Sequence, residues 1–244
     1  IDHETYRLDF DYGGALDATS YFHVGGFYRT GEGVRDTGFN GKEGGQIKAN
    51  LTTEFDGGYI RVHGKYLDDS TPTILPQPVA VTGTDSDPEY TAIANFDPRT
   101  ASLYSRYISA ARTLDGDNNP TTYDIHDGLS VKSAAFGVEA EVEFAPGWTL
   151  TNRFRYADNS GSFVSPFPAS VGDAQAIADG IGGAGSSIVL ASGPDAGQAV
   201  ANPSTLGGNG LLTNVVLFNV RLNDLDYLVN DLRVAKDFDV GSGS

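Results

Sequence analysis

An all-β chain, built as a segment of an antiparallel up-and-down transmembrane β-barrel of about seven strands, is the fold this sequence predicts. Three observations carry the prediction. Period-two alternation dominates, with one side of each segment aliphatic and aromatic and the other charged. The connections alternate between tight turns and long loops. No apolar run approaches 18 residues, which excludes a membrane-spanning helix but not a spanning barrel, whose strands hide half their residues from a hydropathy scan.

The strands follow in order. Residues 4–12 set Tyr6, Leu8, Phe10 and Tyr12 against Arg7, Asp9 and Asp11, and residues 18–29 set Phe22, Val24 and Tyr28 against Tyr21, His23 and Arg29. Residues 46–55 place Ile47, Ala49, Leu51 and Phe55 opposite Gln46, Lys48, Asn50, Thr52 and Glu54. Residues 59–66 give Ile60, Val62 and Tyr66 against Arg61, His63 and Lys65. In 136–144, Phe136, Val138, Ala140, Val142 and Phe144 oppose Glu139, Glu141 and Glu143. In 148–157, Trp148, Leu150, Phe154 and Tyr156 oppose Thr149, Thr151, Arg153 and Arg155, with Asn152 the exception on the apolar side. A seventh strand over about 225–238 alternates less cleanly and suggests a bulge near Val229.

Three connections read as tight: Gly13-Gly14-Ala15, Asp56-Gly57 and Ala145-Pro146-Gly147, with a further candidate at Asp239 to Ser244. Asp56-Gly57 is a type I′ hairpin signal, because both positions tolerate positive φ. The others are long, at about 30–43, 70–129 and 161–224. Structureless loops of ~60 residues are rare in compact soluble domains, where medians are ~4–6. Short turns at one end and long loops at the other suit an outer-membrane barrel, with the turns periplasmic and the loops extracellular. Aromatics gather at two levels, Tyr12, Phe55, Phe144 and Trp148 near the turns and Tyr28, Tyr66 and Tyr156 toward the loops, as interfacial girdles do. The apolar set of 136–154 is expected to face lipid, and Glu139, Glu141, Arg153 and Arg155 the lumen.

Composition narrows the function classes. Hydrophobic residues make up 39% and charged residues 20%, too apolar for a disordered tail. A net charge of −16 repels phosphate backbones, so nucleic acid is not an expected partner. Cysteine is absent, which removes disulfides, thiolate metal sites and cysteine nucleophiles. No cofactor is expected.

Several motifs carry a family resemblance: VGGFYR (24–29), GVRD-x-GF (33–39), GGQIKANL (44–51), GYIRVHGKYLDD (58–69), LPQPV (75–79), DIHDGLSVKSAAFG (124–137) and GWTLTNRFRYAD (147–158). Together they resemble the barrel of TonB-dependent outer-membrane receptors, especially the large group in sphingomonads and related proteobacteria. The resemblance covers most of 16–158 and is specific for the family rather than the substrate. It implies a barrel of about 22 strands closed by an N-terminal plug. It also implies uptake of a scarce nutrient (a metal chelate, vitamin or oligosaccharide) and coupling to the TonB complex through a motif before the plug. Residues 1–244 would be an internal part of that barrel domain, without plug, coupling motif or final strand.

Candidate chemistry is weighed against plainer readings. Glu139, Glu141 and Glu143 share a face, as the carboxylates of a β-rich glycosidase would. A hairpin at 145–147 sets Glu139 opposite Arg153, however, so a stabilising ladder is expected and an enzyme is not. His3, His23, His63 and His126 lack metal-ligand spacing. Asp115-x-Asp117-x-Asn119 opens like a calcium loop, but Pro120 stands at the sixth position and His126 where Glu belongs. Gly25-Gly26 and Gly44-Gly45 suit strand positions where neighbours need room. Asp97-Pro98 signals a helix start, and the segment to Arg112 carries Leu103, Tyr104, Tyr107 and Ile108 near helical spacing. A second helix is expected from Ser170 to Asp179, stopped by Gly180. Aromatics stack on sugars or planar chelates and arginines clamp carboxylates. The ligand-binding candidates are therefore Arg29, Arg35, Arg99, Tyr104, Arg106 and Tyr107, with Asp36 beside Arg35. The alternative class is a soluble β-sandwich that binds carbohydrate through its loops.

Overall fold

A computed structural model describes residues 4–238. His3 and the candidate turn at Asp239 to Ser244 lie outside the described residues. The chain is all-β and antiparallel. Its strands are β1 (Thr5–Ala15), β2 (Ser20–Gly31), β3 (Lys42–Phe55), β4 (Gly58–Thr71), β5 (Ala80–Thr84), β6 (Asp87–Thr91), β7 (Ala110–Leu114), β8 (Pro120–Asp124), β9 (Leu129–Ala145), β10 (Trp148–Asp173), β11 (Leu211–Leu222) and β12 (Tyr227–Lys236). A helix, α1 (Ala174–Gly182), and two 3-10 turns at Ile125–Asp127 and Pro203–Gly208 complete it. Among the described residues no helix is long and apolar enough to cross a membrane, which says nothing of strands.

The main sheet runs β1-β2-β3-β4-β9-β10, and β10 then pairs with both β11 and β12. These two share one strand position. Tyr227 pairs with Ala157 and Leu222 with Gly161, so the ladder slips by one residue between them. The irregularity therefore sits at 223–226, not near Val229, which pairs regularly with Arg155. The sheet has seven strand positions, as expected, but does not close: β1 and the β11/β12 position are open edges among the described residues. β5–β6 and β7–β8 are two-stranded ribbons within the β4–β9 connection.

Register confirms the two faces, because directly paired residues point to the same side. Phe154 pairs with Val138, Val138 with Val62, Val62 with Leu51 and Leu51 with Phe22. One position along, Arg153 pairs with Glu139, Glu139 with Arg61 and Arg61 with Thr52. The apolar face is uncovered: Leu8 is 68% exposed, Leu51 44% and Leu232 61%. It ends above Tyr66 and Tyr28, where Lys132 meets Asp68 at 3.2 Å and Ser130 Oγ meets Ser162 Oγ at 2.7 Å. From Trp148 to Tyr156 the band spans roughly 27 Å along the strand. Asn152, the polar exception, donates its Nδ2 to Asn230 Oδ1 at 2.9 Å, so each side chain finds a partner on that face.

The three short connections lie at one end of the sheet, and the connections 32–41, 72–128 and 174–210 at the other. Their details correct the sequence reading in places. Gly13 and Gly14 are inside β1, paired with His23 and Phe22. A Cβ on Gly13 would come within 2.8 Å of the Phe22 carbonyl, so the glycine serves close strand approach rather than a turn. The turn itself is 16–19, closed by the Asp17 carboxylate accepting from the Thr19 and Ser20 amides at 2.8 Å. Asp56-Gly57 is a two-residue loop, but only Gly57 has positive φ (+83°), so it is not type I′. At Pro146-Gly147 a bulge beside Trp148 absorbs one residue and sets Arg153 opposite Glu139, as expected.

The segment 161–224 is not a loop at its ends. β10 continues for 26 residues and β11 returns along it. Pro166 and Pro168 are tolerated in this strand for a clear reason. Above Phe163 the β9 side of β10 is unpaired, and the even-numbered amides face it, as Val164 N shows by donating to Gly128 O outside the ladder. Because β10 runs on to Asp173, α1 starts at Ala174 rather than Ser170, with Asp173 as its N-cap accepting from Ala176 N at 2.8 Å. The helix expected at 97–112 does not form. Asp97 closes a single turn through Thr100 and Ala101, and Arg112 belongs to β7.

Candidate functional site

Most buried residues of this open sheet gather at its long-loop end, Thr52 near the short turns being an exception. Tyr104 is 4% exposed, and Val164 and Ser165 are fully buried. Tyr104 Oη donates to the Val164 carbonyl at 3.0 Å and accepts from Thr73 N at 3.2 Å; Thr73 Oγ1, 2.8 Å away, also bonds Ser165 Oγ. Phe39 completes this knot, its ring tilted against Tyr104 and stacked on His126 at 3.8 Å between centroids. His126 Nε2 lies 2.9 Å from the Ser105 carbonyl. Glu32 accepts from the Thr37 and Gly38 amides at 2.9 Å, which folds the first long connection on itself. One tyrosine thus joins two of the long connections, 32–41 and 72–128, to the β10 extension.

This placement separates the six candidate ligand residues. Tyr104 is an interior anchor and offers no face to a solute, so its role as a stacking contact is corrected: its hydroxyl and ring are already satisfied by the cap. Arg35 borders the same packing, with a buried Nε that has no hydrogen-bond partner. Arg99 is exposed but held by its neighbour, Nε and Nη2 meeting the Asp97 carboxylate at 3.0 and 2.8 Å. Those bonds and the Arg99 amide pull the Asp97 carboxyl down to about 2. Arg106 and Tyr107 are exposed at the mouth, Arg106 against Gly38. Arg29 sits apart, on the polar sheet face, in a half-buried bidentate pair with Asp69 at 2.8 and 2.7 Å. Asp36 is exposed.

The other candidates resolve into structural parts. Glu139 accepts from Tyr59 Oη and Arg153 Nε, both at 3.0 Å, with Arg61 at 3.7 Å. Glu143 accepts from Gly147 N at 3.0 Å and Glu141 from Thr151 Oγ1 at 3.4 Å. These carboxylates knit hairpins together rather than face an open cleft. Asp115 accepts from the Asp117 and Asn119 amides at 2.9 Å, which lowers its carboxyl pKa and closes the β7–β8 turn. No group of three or more His, Asp or Glu side chains that could hold a metal ion occurs among the described residues.

A groove of about 870 Å³ lies on the polar face, lined from five neighbouring strands and by Arg155 on a sixth. Its acidic wall is already engaged: Asp9 by Arg7 at 2.7 Å and Asp11 by His23 at 2.8 Å. Gly25 lines it as well, and a Cβ there would meet Asp11 Oδ2 at 2.9 Å. Lys48, Lys65, His63 and Asn50 also line it. Alternation puts Lys48, Asn50, His63 and Lys65 on the polar face, but their convergence depends on register. No protein-family model, curated protein or solved structure matches the chain.

Proposed function

We propose that the chain forms part of the barrel wall of an outer-membrane receptor of the TonB-dependent kind. Such a receptor captures a scarce small nutrient (a metal chelate, vitamin or oligosaccharide) and admits it through its lumen. One observation carries this reading: an uncovered apolar face crossing all seven strand positions, bounded by Phe55, Phe144 and Trp148 below and by Tyr28, Tyr66 and Tyr156 above. Lipid is the solvent that makes such a face favourable, because in water a contiguous apolar patch of this size is a liability. The lumen would be the charged face, and the folded long connections the extracellular mouth.

Within this reading Arg106 and Tyr107 are the loop residues free to touch a solute, with Arg99 and Arg35 beside them. Coupling to the TonB complex would belong to a region N-terminal to the barrel. A soluble carbohydrate-binding sandwich would need a second sheet over the apolar face, and among the described residues the two other sheets are ribbons in the loops. The test is liposome flotation with and without detergent. Flotation with lipid, and aggregation in buffer alone, is expected; a detergent-free monomer that stays with the aqueous fraction would sink the reading.

A further inference from the structure

On a chain with 32 acidic and 16 basic side chains, a cluster of unpaired cations calls for a cause. Lys48 and Lys65 are direct cross-strand partners on the polar face. Like charges placed so destabilise a sheet. Arg155 lines the same groove, two strands over from Lys65 and two residues along from Ala157, which continues its row. None of the three makes an ion pair with a carboxylate among the described residues, although Arg7, Arg29, Arg61, Lys132 and Arg153 on the same sheet all do.

Their surroundings leave room. Gly25, next to Lys48, and Ala135, next to Lys65, are small. The groove's two carboxylates, Asp9 and Asp11, are bound to Arg7 and His23 on its far side. Arg155 rests its guanidinium over the Tyr227 ring, 5.6 Å from the centroid, which holds it without neutralising it. Gln46, Asn50 and His63 add further hydrogen-bonding side chains around the same opening.

We propose that this groove binds a small multiply charged oxyanion, carrying carboxylate or phosphate groups, between Lys48, Lys65 and Arg155. The site rests on the uptake reading and deepens it by naming the chemical class of solute that the polar face receives. Charge-assisted bonds from three cations would offset the repulsion that the empty groove sustains.

The experiment is calorimetric titration of the full-length protein in detergent at low salt, with citrate and inorganic phosphate as separate arms. Citrate binding alone assigns a carboxylate ligand, and phosphate binding alone a phosphate ligand. The paired change Lys48→Gln with Lys65→Gln should weaken whichever binds by about tenfold or more. Lys65→Arg, which keeps the charge, should retain binding, and Lys132→Gln, outside the groove and paired with Asp68, should leave it unchanged. Liposome insertion is measured on every variant, so that lost folding is not mistaken for lost affinity. If neither anion binds to protein that inserts, or if the glutamine pair binds like the parent, the site is overturned while the uptake reading stands. If anions bind in this pattern to protein that does not insert, the site stands and the uptake reading falls.

Discussion

Arginine at Leu51 and arginine at Asn50 should differ by several kcal/mol, although the two positions are adjacent. Leu51 lies four residues from Phe55 and four from Ile47, so it sits at the middle of the apolar band, about 13 Å along the strand from either level. Its partners Phe22 and Val62 continue the same layer. Placing Arg at the midplane of a lipid-facing strand costs roughly 2–4 kcal/mol. Asn50 is at the same height on the polar face, beside His23 and His63, where a longer polar side chain meets the groove. On a water-exposed sheet surface either change would stay within about 0.5 kcal/mol. The assay is reversible denaturant unfolding of the full-length protein in phospholipid vesicles. Leu51→Arg should lower the folded-to-unfolded ratio roughly 30- to 1000-fold, and Asn50→Arg should be close to neutral. Phe144→Arg, at the turn-side girdle, should cost only ~0–1 kcal/mol. Equal effects at Leu51 and Asn50 would refute the assignment of lipid to the apolar face.

Three other outcomes follow from the same geometry. Tyr104→Phe removes the donor to Val164 O and the acceptor for Thr73 N, so local opening of the loop cap should become easier by about 1–3 kcal/mol, read as faster hydrogen exchange at the Thr73 amide; unchanged protection would dissolve the anchor. The Asp97 carboxyl is depressed, so the favourable Asp97–Arg99 pairing is fully present above about pH 4 and is lost as pH falls through about 2. A carboxyl NMR titration midpoint for Asp97 near 4 would contradict it. Protease added to intact cells should cut within 80–91 or 183–200 and spare 16–19, 56–57 and 146–147; the reverse pattern would invert the topology.

Alternation alone disclosed the faces and most pairings, because a strand's period is fixed by the backbone and a one-residue slip would turn every side chain over. The loops were less legible. Leu211 to Val220 has the β-branched density of a strand, but Pro166 and Pro168 interrupt the partner segment, and only the unpaired side of β10 makes room for them. The helix expected after Asp97-Pro98 had a start signal without the tertiary support that short helices need, and Tyr104 left it for the Thr73–Val164 knot. Tyr104 was expected as a ligand contact, because composition cannot tell a buried aromatic anchor from an exposed stacking platform. The Lys48–Lys65–Arg155 cluster was visible as three separate polar-face residues, and only cross-strand register brings them together.

Site-by-site accessibility across the sheet tests the central claim most directly, and the absence of native cysteine in this chain makes it clean. Single substitutions Phe22→Cys, Leu51→Cys, Val62→Cys, Val138→Cys and Phe154→Cys sample the apolar face. Asn50→Cys, His63→Cys and Arg155→Cys sample the polar one. Each is spin-labelled in outer-membrane vesicles and relaxed by oxygen, which concentrates in lipid, or by a water-soluble nickel chelate. The expected result is strict period-two alternation, with the first set oxygen-accessible and shielded from nickel and the second set the reverse. Nickel accessibility at both sets would place the apolar face in water and contradict the barrel-wall account.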